Sequence, residues 1–162
     1  VFISTETDTE QSFTYRQLHD EVNRCAAMMR ALGVQRGDRV LLYMPMIPEA
    51  AFAMLACARL GAIHSVVFGG FASHSLATRI EDARPKLVVS SDAGMRAGKV
   101  VRYKPLLDEA IALSSHKPDA VVLVDRKLDP ECARVPGRDH DWATLRDTHA
   151  GAVVPVTWLE SS

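Results

Sequence analysis

Three features of the sequence predict an α/β fold, a doubly wound, mainly parallel sheet layered with helices. Short apolar runs alternate with longer amphipathic ones, the short runs are apolar throughout rather than at every second residue, and glycine or proline closes most of them. Such alternation implies parallel strands joined by helical crossovers, and continuous apolarity implies burial on both faces of the sheet. Ligands of these sheets bind beyond the carboxyl ends of the strands.

The first helix begins at Thr14, with Gln17 three residues on completing a capping box and Phe13 placed as a hydrophobic staple. Leu18, Val22, Cys25, Met29 and Leu32 then recur at steps of three and four along one face, and Gly33 ends the helix. Gln35 to Asp38 is turn chemistry, and 39–44 is a buried strand closed by Pro45. Pro48 and Glu49 open a second helix that runs to Leu60 and is capped by Gly61. Residues 62–68 form the next strand, broken by Gly69 and Gly70. Ser73 or Ser75 caps a helix to about Ala83, which Arg84-Pro85 ends. A third strand spans 86–90, a polar loop 91–99, a helix 105–115 and a fourth strand 120–124. Beyond Asp125 the pattern thins into a loop around Pro130, Pro136 and Gly137, a short helix over 141–149 and a strand over 153–159.

Composition narrows the function. The 162 residues carry 19 Lys and Arg against 20 Asp and Glu, a net charge of -1. No concentrated positive field is available for nucleic acid or a membrane surface, so any anion must be gripped locally. The longest apolar run, 50–58, is far short of the roughly 20 residues of a membrane helix. Three scattered cysteines assemble neither a disulfide framework nor a metal site, which fits a reducing cytoplasm. The chain starts without Met or a signal segment and stops without a tail, the expectation being a piece of something longer.

Two segments carry candidate chemistry. Val66 to Phe71 lies where a strand hands over to a helix, and its Gly69-Gly70 pair permits close approach of a backbone amide to a phosphate or to a thioester-bearing chain. A tight turn that needs small residues is the plain alternative. Asp92 to Lys99 follows another strand end and places Arg96 and Lys99 three residues apart between glycines. Arg would grip phosphate through its planar fork and Lys as a point charge, with Arg102 and Lys104 enlarging the patch; ordinary surface charge is the alternative. Neither a dinucleotide fingerprint nor a phosphate loop is present. The six histidines form no metal-binding grouping, and His64, inside an apolar strand, reads as a core histidine. Met44, Met46 and Met54 read as core filling, and Arg138 to Asp141 as a charged surface turn.

The run LYMPMIPEA at 42–50 with AMLACARLGAIHSVVFGGF at 53–71 closely resembles AMP-forming acyl-CoA synthetases of the acetyl/propionyl type, in the adenylate-forming superfamily. Asp92 to Lys99 looks like their loop after the next strand, and Trp158 to Ser162 like the segment just upstream of their nucleotide loop. Met95, Lys99, the run 103–110 and Gly137 to Asp139 resemble the propionate-CoA ligases more than the acetate-CoA ligases. The resemblance implies a carboxylate attacking the α-phosphate of ATP, with Mg²⁺ offsetting phosphate charge, and then CoA displacing AMP from the acyl-AMP.

Carried over by resemblance, Phe68, Gly69 and Gly70 would contact CoA near its adenosine and pantetheine portions. Arg96 and Lys99 would hold a CoA phosphate, the 3′-phosphate in particular. Acetate-type relatives commonly have Arg at the Lys99 position, so Lys99 keeps the charge contact without the bidentate geometry. The resemblance makes 1–162 a partial N-terminal domain ending just before the ATP phosphate-binding loop. The acyl pocket and the catalytic lysine would lie further on, and the piece alone would be inactive. No catalytic or metal-binding residue is expected here. The expected partners are the small-molecule substrates and the remainder of the chain, with no nucleic acid or membrane. Two alternatives stand beside this reading: a non-catalytic CoA- or nucleotide-binding α/β module, and a flavodoxin-like or receiver-like regulatory domain using Asp92 or Asp125.

Overall fold

Five parallel strands carry the fold. The computed structural model describes residues 1–4 and 8–160. Its central strands are β3 (Arg39–Met44), β4 (Ile63–Phe68), β5 (Leu87–Ser91), β8 (Ala120–Val124) and β9 (Asp139–Asp141), in the spatial order β4-β3-β5-β8-β9. Every neighbouring pair is parallel. The chain therefore enters at β3, steps outward to β4, then returns across β3 to β5 and onward, so the direction of winding reverses at β3. Two antiparallel pairs complete the strands: β1 (Phe2–Ser4) with β2 (Thr9–Gln11), and β6 (Ala93–Arg96) with β7 (Lys99–Arg102), the second pair a hairpin.

Alternation along each strand sorts the apolar side chains into two cores. Val40, Leu42, Met44, Leu87, Val89 and Val122 face one side, where α1 (Tyr15–Ala31), α2 (Pro48–Leu60) and α5 (Trp142–Thr148) cover them. Leu41, Tyr43, Val88, Val121 and Leu123 face the other, under α3 (Ser73–Ala83) and α4 (Tyr103–Leu113). A fully buried leucine such as Leu41 stabilises the fold by about 2 kcal/mol relative to its exposed state.

Local chemistry explains the helix ends. Thr14 Oγ1 accepts from the Gln17 amide at 3.2 Å and Gln17 Oε1 accepts from the Thr14 amide at 2.8 Å, the reciprocal box its spacing predicts. The Phe13 ring packs edge-on against Phe52 of α2. Gly61 closes α2 in the left-handed region at φ 68°.

Several expectations are corrected. Neither Ser73 nor Ser75 caps α3; Ala72 holds the cap position with no side-chain bond. The 91–99 segment is the β6–β7 hairpin rather than a loop. No strand forms over 153–159: there the Val154 amide donates to Asn23 of α1, and the Thr157 amide to the carbonyl of Arg59 in α2. Arg138 to Asp141 is no surface turn, because β9 pairs with β8 and the Asp139 side chain is fully buried. His64 is exposed, not a core residue. It shares a face of edge strand β4 with Val66 and Phe68, which are 59% and 62% exposed. Ser161 and Ser162, in the segment matched to the approach of a nucleotide loop, lie outside the described residues.

Candidate functional site

Beyond the carboxyl ends of β3 and β4 lies a cavity of about 330 Å³. Met44, Pro45 and Met46 line it from β3, Val66 to Gly69 from β4, and Met95, Arg96 and Ala97 from the hairpin tip. Its walls are mostly apolar, with the Arg96 cation at the mouth. That is the lining of a small-molecule site rather than of a charged macromolecular surface.

The hairpin places its cations by turn chemistry. Ala97 and Gly98 both have positive φ, 48° and 74°, the two-residue turn whose twist matches that of its flanking strands. Arg96 and Lys99 are consequently direct cross-strand partners on one face. Two like charges so placed repel, and an anion held between them would relieve the repulsion. Among the described residues neither has an ion-pair partner.

The expected enlargement of this patch does not occur. Arg102 Nε bonds Asp129 at 2.8 Å and its Nη1 lies 3.4 Å from Glu131. Lys104 is 2% exposed and ion-paired with Asp108 and Asp139. Both are neutralised by neighbours that lie far from them in the sequence or one helical turn away.

The two glycines divide their roles. Gly70 has φ 91°, a conformation that favours glycine, and a Cβ placed on it would lie 4.0 Å from Arg96 Nη1. The turn and the arginine expected to act together are therefore neighbours. Gly69 lies in the cavity wall, but a Cβ on it would fall 2.2 Å from the Tyr103 hydroxyl, so its lack of a side chain admits that ring. Phe68 is exposed and its ring stands 6.2 Å from that of Phe71. Lys99 is exposed at the hairpin tip, outside the cavity lining.

Three further contributors were not foreseen as site residues. Met46 is 81% exposed and lines the cavity instead of filling the core; its place just after Pro45 at a strand end was the signal. Tyr103 lies between the turn and the hairpin. Burial pushes the Tyr43 hydroxyl up to about 12, so it stays protonated at neutral pH and donates to the Phe71 carbonyl at 3.1 Å. Asp92 does not face the cavity as an acid. Its carboxylate accepts from the amides of Arg126, Leu128 and Asp129, which fastens the loop after β8 to the hairpin's base. Among the described residues no group of three or more His, Cys, Asp or Glu is arranged to hold a metal ion.

Fold and site together define an α/β domain with a mostly apolar cavity beyond the carboxyl ends of its strands and the Arg96 cation in that cavity's lining. Residues 1–154 match the family described as AMP-binding enzyme, and the chain belongs to that family. It is 64% identical to a propionate–CoA ligase of Escherichia coli (strain K12) and 65% identical to one of Salmonella typhimurium, over all of this chain and 26% of each relative. With the human protein acyl-CoA synthetase short-chain family member 3, mitochondrial, identity is 44% across 88% of this chain and 21% of the relative. The chain thus spans about a quarter of the length of the propionate–CoA ligases it matches.

Proposed function

We propose that this chain is the N-terminal part of a short-chain acyl-CoA ligase that takes propionate, or acetate, with ATP and CoA to acyl-CoA, AMP and diphosphate through an acyl-AMP. Within it, Phe68, Gly69, Gly70, Arg96 and Lys99 form part of the CoA site. The observation that carries the reading is the Arg96 guanidinium beside Gly70 at the mouth of an apolar cavity. A nucleotide phosphate matches the cation in charge and fork geometry, and the apolar wall matches a base or pantetheine stem. The identity to propionate–CoA ligases favours propionate.

ATP, its Mg²⁺ and the carboxylate would be handled by the remainder of the ligase. The chain alone would contribute binding without catalysis; turnover of ATP, propionate and CoA by it above background would overturn that part. A cytoplasmic location is in keeping with three cysteines that are all free; among the described residues no helix is long and apolar enough to cross a membrane.

The test is Arg96→Ala in the ligase that carries this segment. The CoA KM should rise roughly tenfold to a hundredfold, the effect of losing a charge-assisted hydrogen bond, while carboxylate-dependent ATP–pyrophosphate exchange persists. Loss of exchange with an unchanged CoA KM would reverse the assignment.

A further inference from the structure

The glycine turn after β4 and the β6–β7 hairpin come from separate stretches of chain, and one aromatic ring lies between them. Tyr103 opens α4, is 5% exposed, and donates its backbone amide to the Asp92 carbonyl at 2.9 Å. A Cβ on Gly69 would stand 2.6 Å from its Cζ and 2.7 Å from its Cε2. One on Gly94 would stand 2.5 Å from its hydroxyl oxygen and 3.2 Å from its Cε1. The two backbones therefore press on opposite edges of one ring, each at a glycine that leaves no room for a side chain. Tyr43 braces the arrangement: its ring centre is 5.0 Å from that of Tyr103, and its hydroxyl holds Phe71 just past the turn.

We infer that Tyr103 is a positioning residue for CoA, a spacer whose ring sets the separation between the Gly69–Gly70 turn and Arg96 and so the width of the cleft that receives the nucleotide. The inference rests on the CoA reading of the site. Gly69 and Gly94 serve it by admitting the ring, while Gly70 alone adopts the left-handed conformation beside the cation. A buried aromatic ring suits the task because it is rigid and incompressible on the scale of the gap it fills.

The experiment uses the full-length ligase. Tyr103→Leu keeps an apolar side chain but removes the ring edges, so the two walls of the cleft shift. The CoA KM should rise on the order of tenfold to a hundredfold, the size of effect an ångström of misplacement produces, with ATP–pyrophosphate exchange largely retained. Tyr103→Phe keeps both Cε edges of the ring and loses only the hydroxyl, so it should restore most of the CoA affinity lost in Tyr103→Leu. Gly69→Ala displaces the ring from the other side and should produce the same split, with a smaller added effect in the Tyr103→Leu background than alone. If Tyr103→Leu does not fold, Gly94→Ala, which meets the same ring from the hairpin side and is not among the proposed CoA contacts, carries the test. A parallel fall in exchange and thioester formation, or an unchanged CoA KM, overturns the inference. Arg96→Ala, run alongside, separates the failures. If it raises the CoA KM and the spacer variants do not, only the spacer falls; if it does not, the CoA reading falls and the spacer with it.

Discussion

Asp139 illustrates how far a single charged residue can depart from its surface reading. Its side chain is fully buried beside Lys104, at 2.9 Å, and Arg138, at 2.6 Å. Burial pushes the carboxyl up, but hydrogen bonds from Arg138, the Val135 amide and Lys104 outweigh it and hold the group below the ordinary aspartate value. A carboxylate with a lowered folded pKa contributes stability that is complete above its unfolded value, about 4, and is lost as pH falls through the folded one. Asp139→Asn removes one of the two carboxylates that neutralise the buried Lys104 ammonium, leaving Asp108 alone, and takes a partner from Arg138. It should cost about 3 kcal/mol at neutral pH, and the deficit against the parent should shrink at pH 3. Urea midpoints at the two pH values check this, and an equal deficit at both would contradict the account. The Arg96 and Tyr103 variants belong to the same scale, one testing a contact with ligand and the other the distance between contacts.

At the scale of elements, short-range rules worked where the stabilising partner is close in sequence. The Thr14–Gln17 box closes over three residues, and both partners were visible. Thr14→Ala should lower thermal stability by about 1 kcal/mol, read from the unfolding midpoint; no change would mean that tertiary packing alone holds the first turn. The β6–β7 hairpin looks like a loop in the sequence because Ala-Gly-Met-Arg has no strand pattern of its own. It becomes a strand only by pairing with Lys99–Arg102 and packing Gly94 on Tyr103. β9 escaped notice for a related reason. Three polar residues join the sheet because β8 leaves an edge open and Lys104 and Arg138 neutralise the buried acid.

Across the whole molecule, the five-stranded order leaves β4 as an edge whose apolar side chains meet solvent. Ile63 is 56% exposed and does not line the cavity. An apolar edge strand is a template for intermolecular pairing, and a lysine is the usual way proteins blunt one. Ile63→Lys should therefore raise the soluble fraction of this chain at a given concentration without lowering its unfolding midpoint. Sedimentation before and after heating reads both, and unchanged aggregation would locate the sticky surface elsewhere.

By itself the sequence determined the alternation of strands and helices, the buried character of β3, β5 and β8, and the helix ends at Thr14, Gly33 and Gly61. It also supplied the family and, as candidates for a CoA site, Phe68, Gly69, Gly70, Arg96 and Lys99. Each depends on a period, a cap or a motif written within a few neighbouring residues. Only the tertiary structure decided which strand became an edge, that Arg102 and Lys104 are spent in ion pairs while Arg96 stays open, and that Gly69 serves a tyrosine some thirty residues away. Edges, charge partners and ring contacts depend on groups distant in the chain meeting in space, and local spacing carries no record of those meetings.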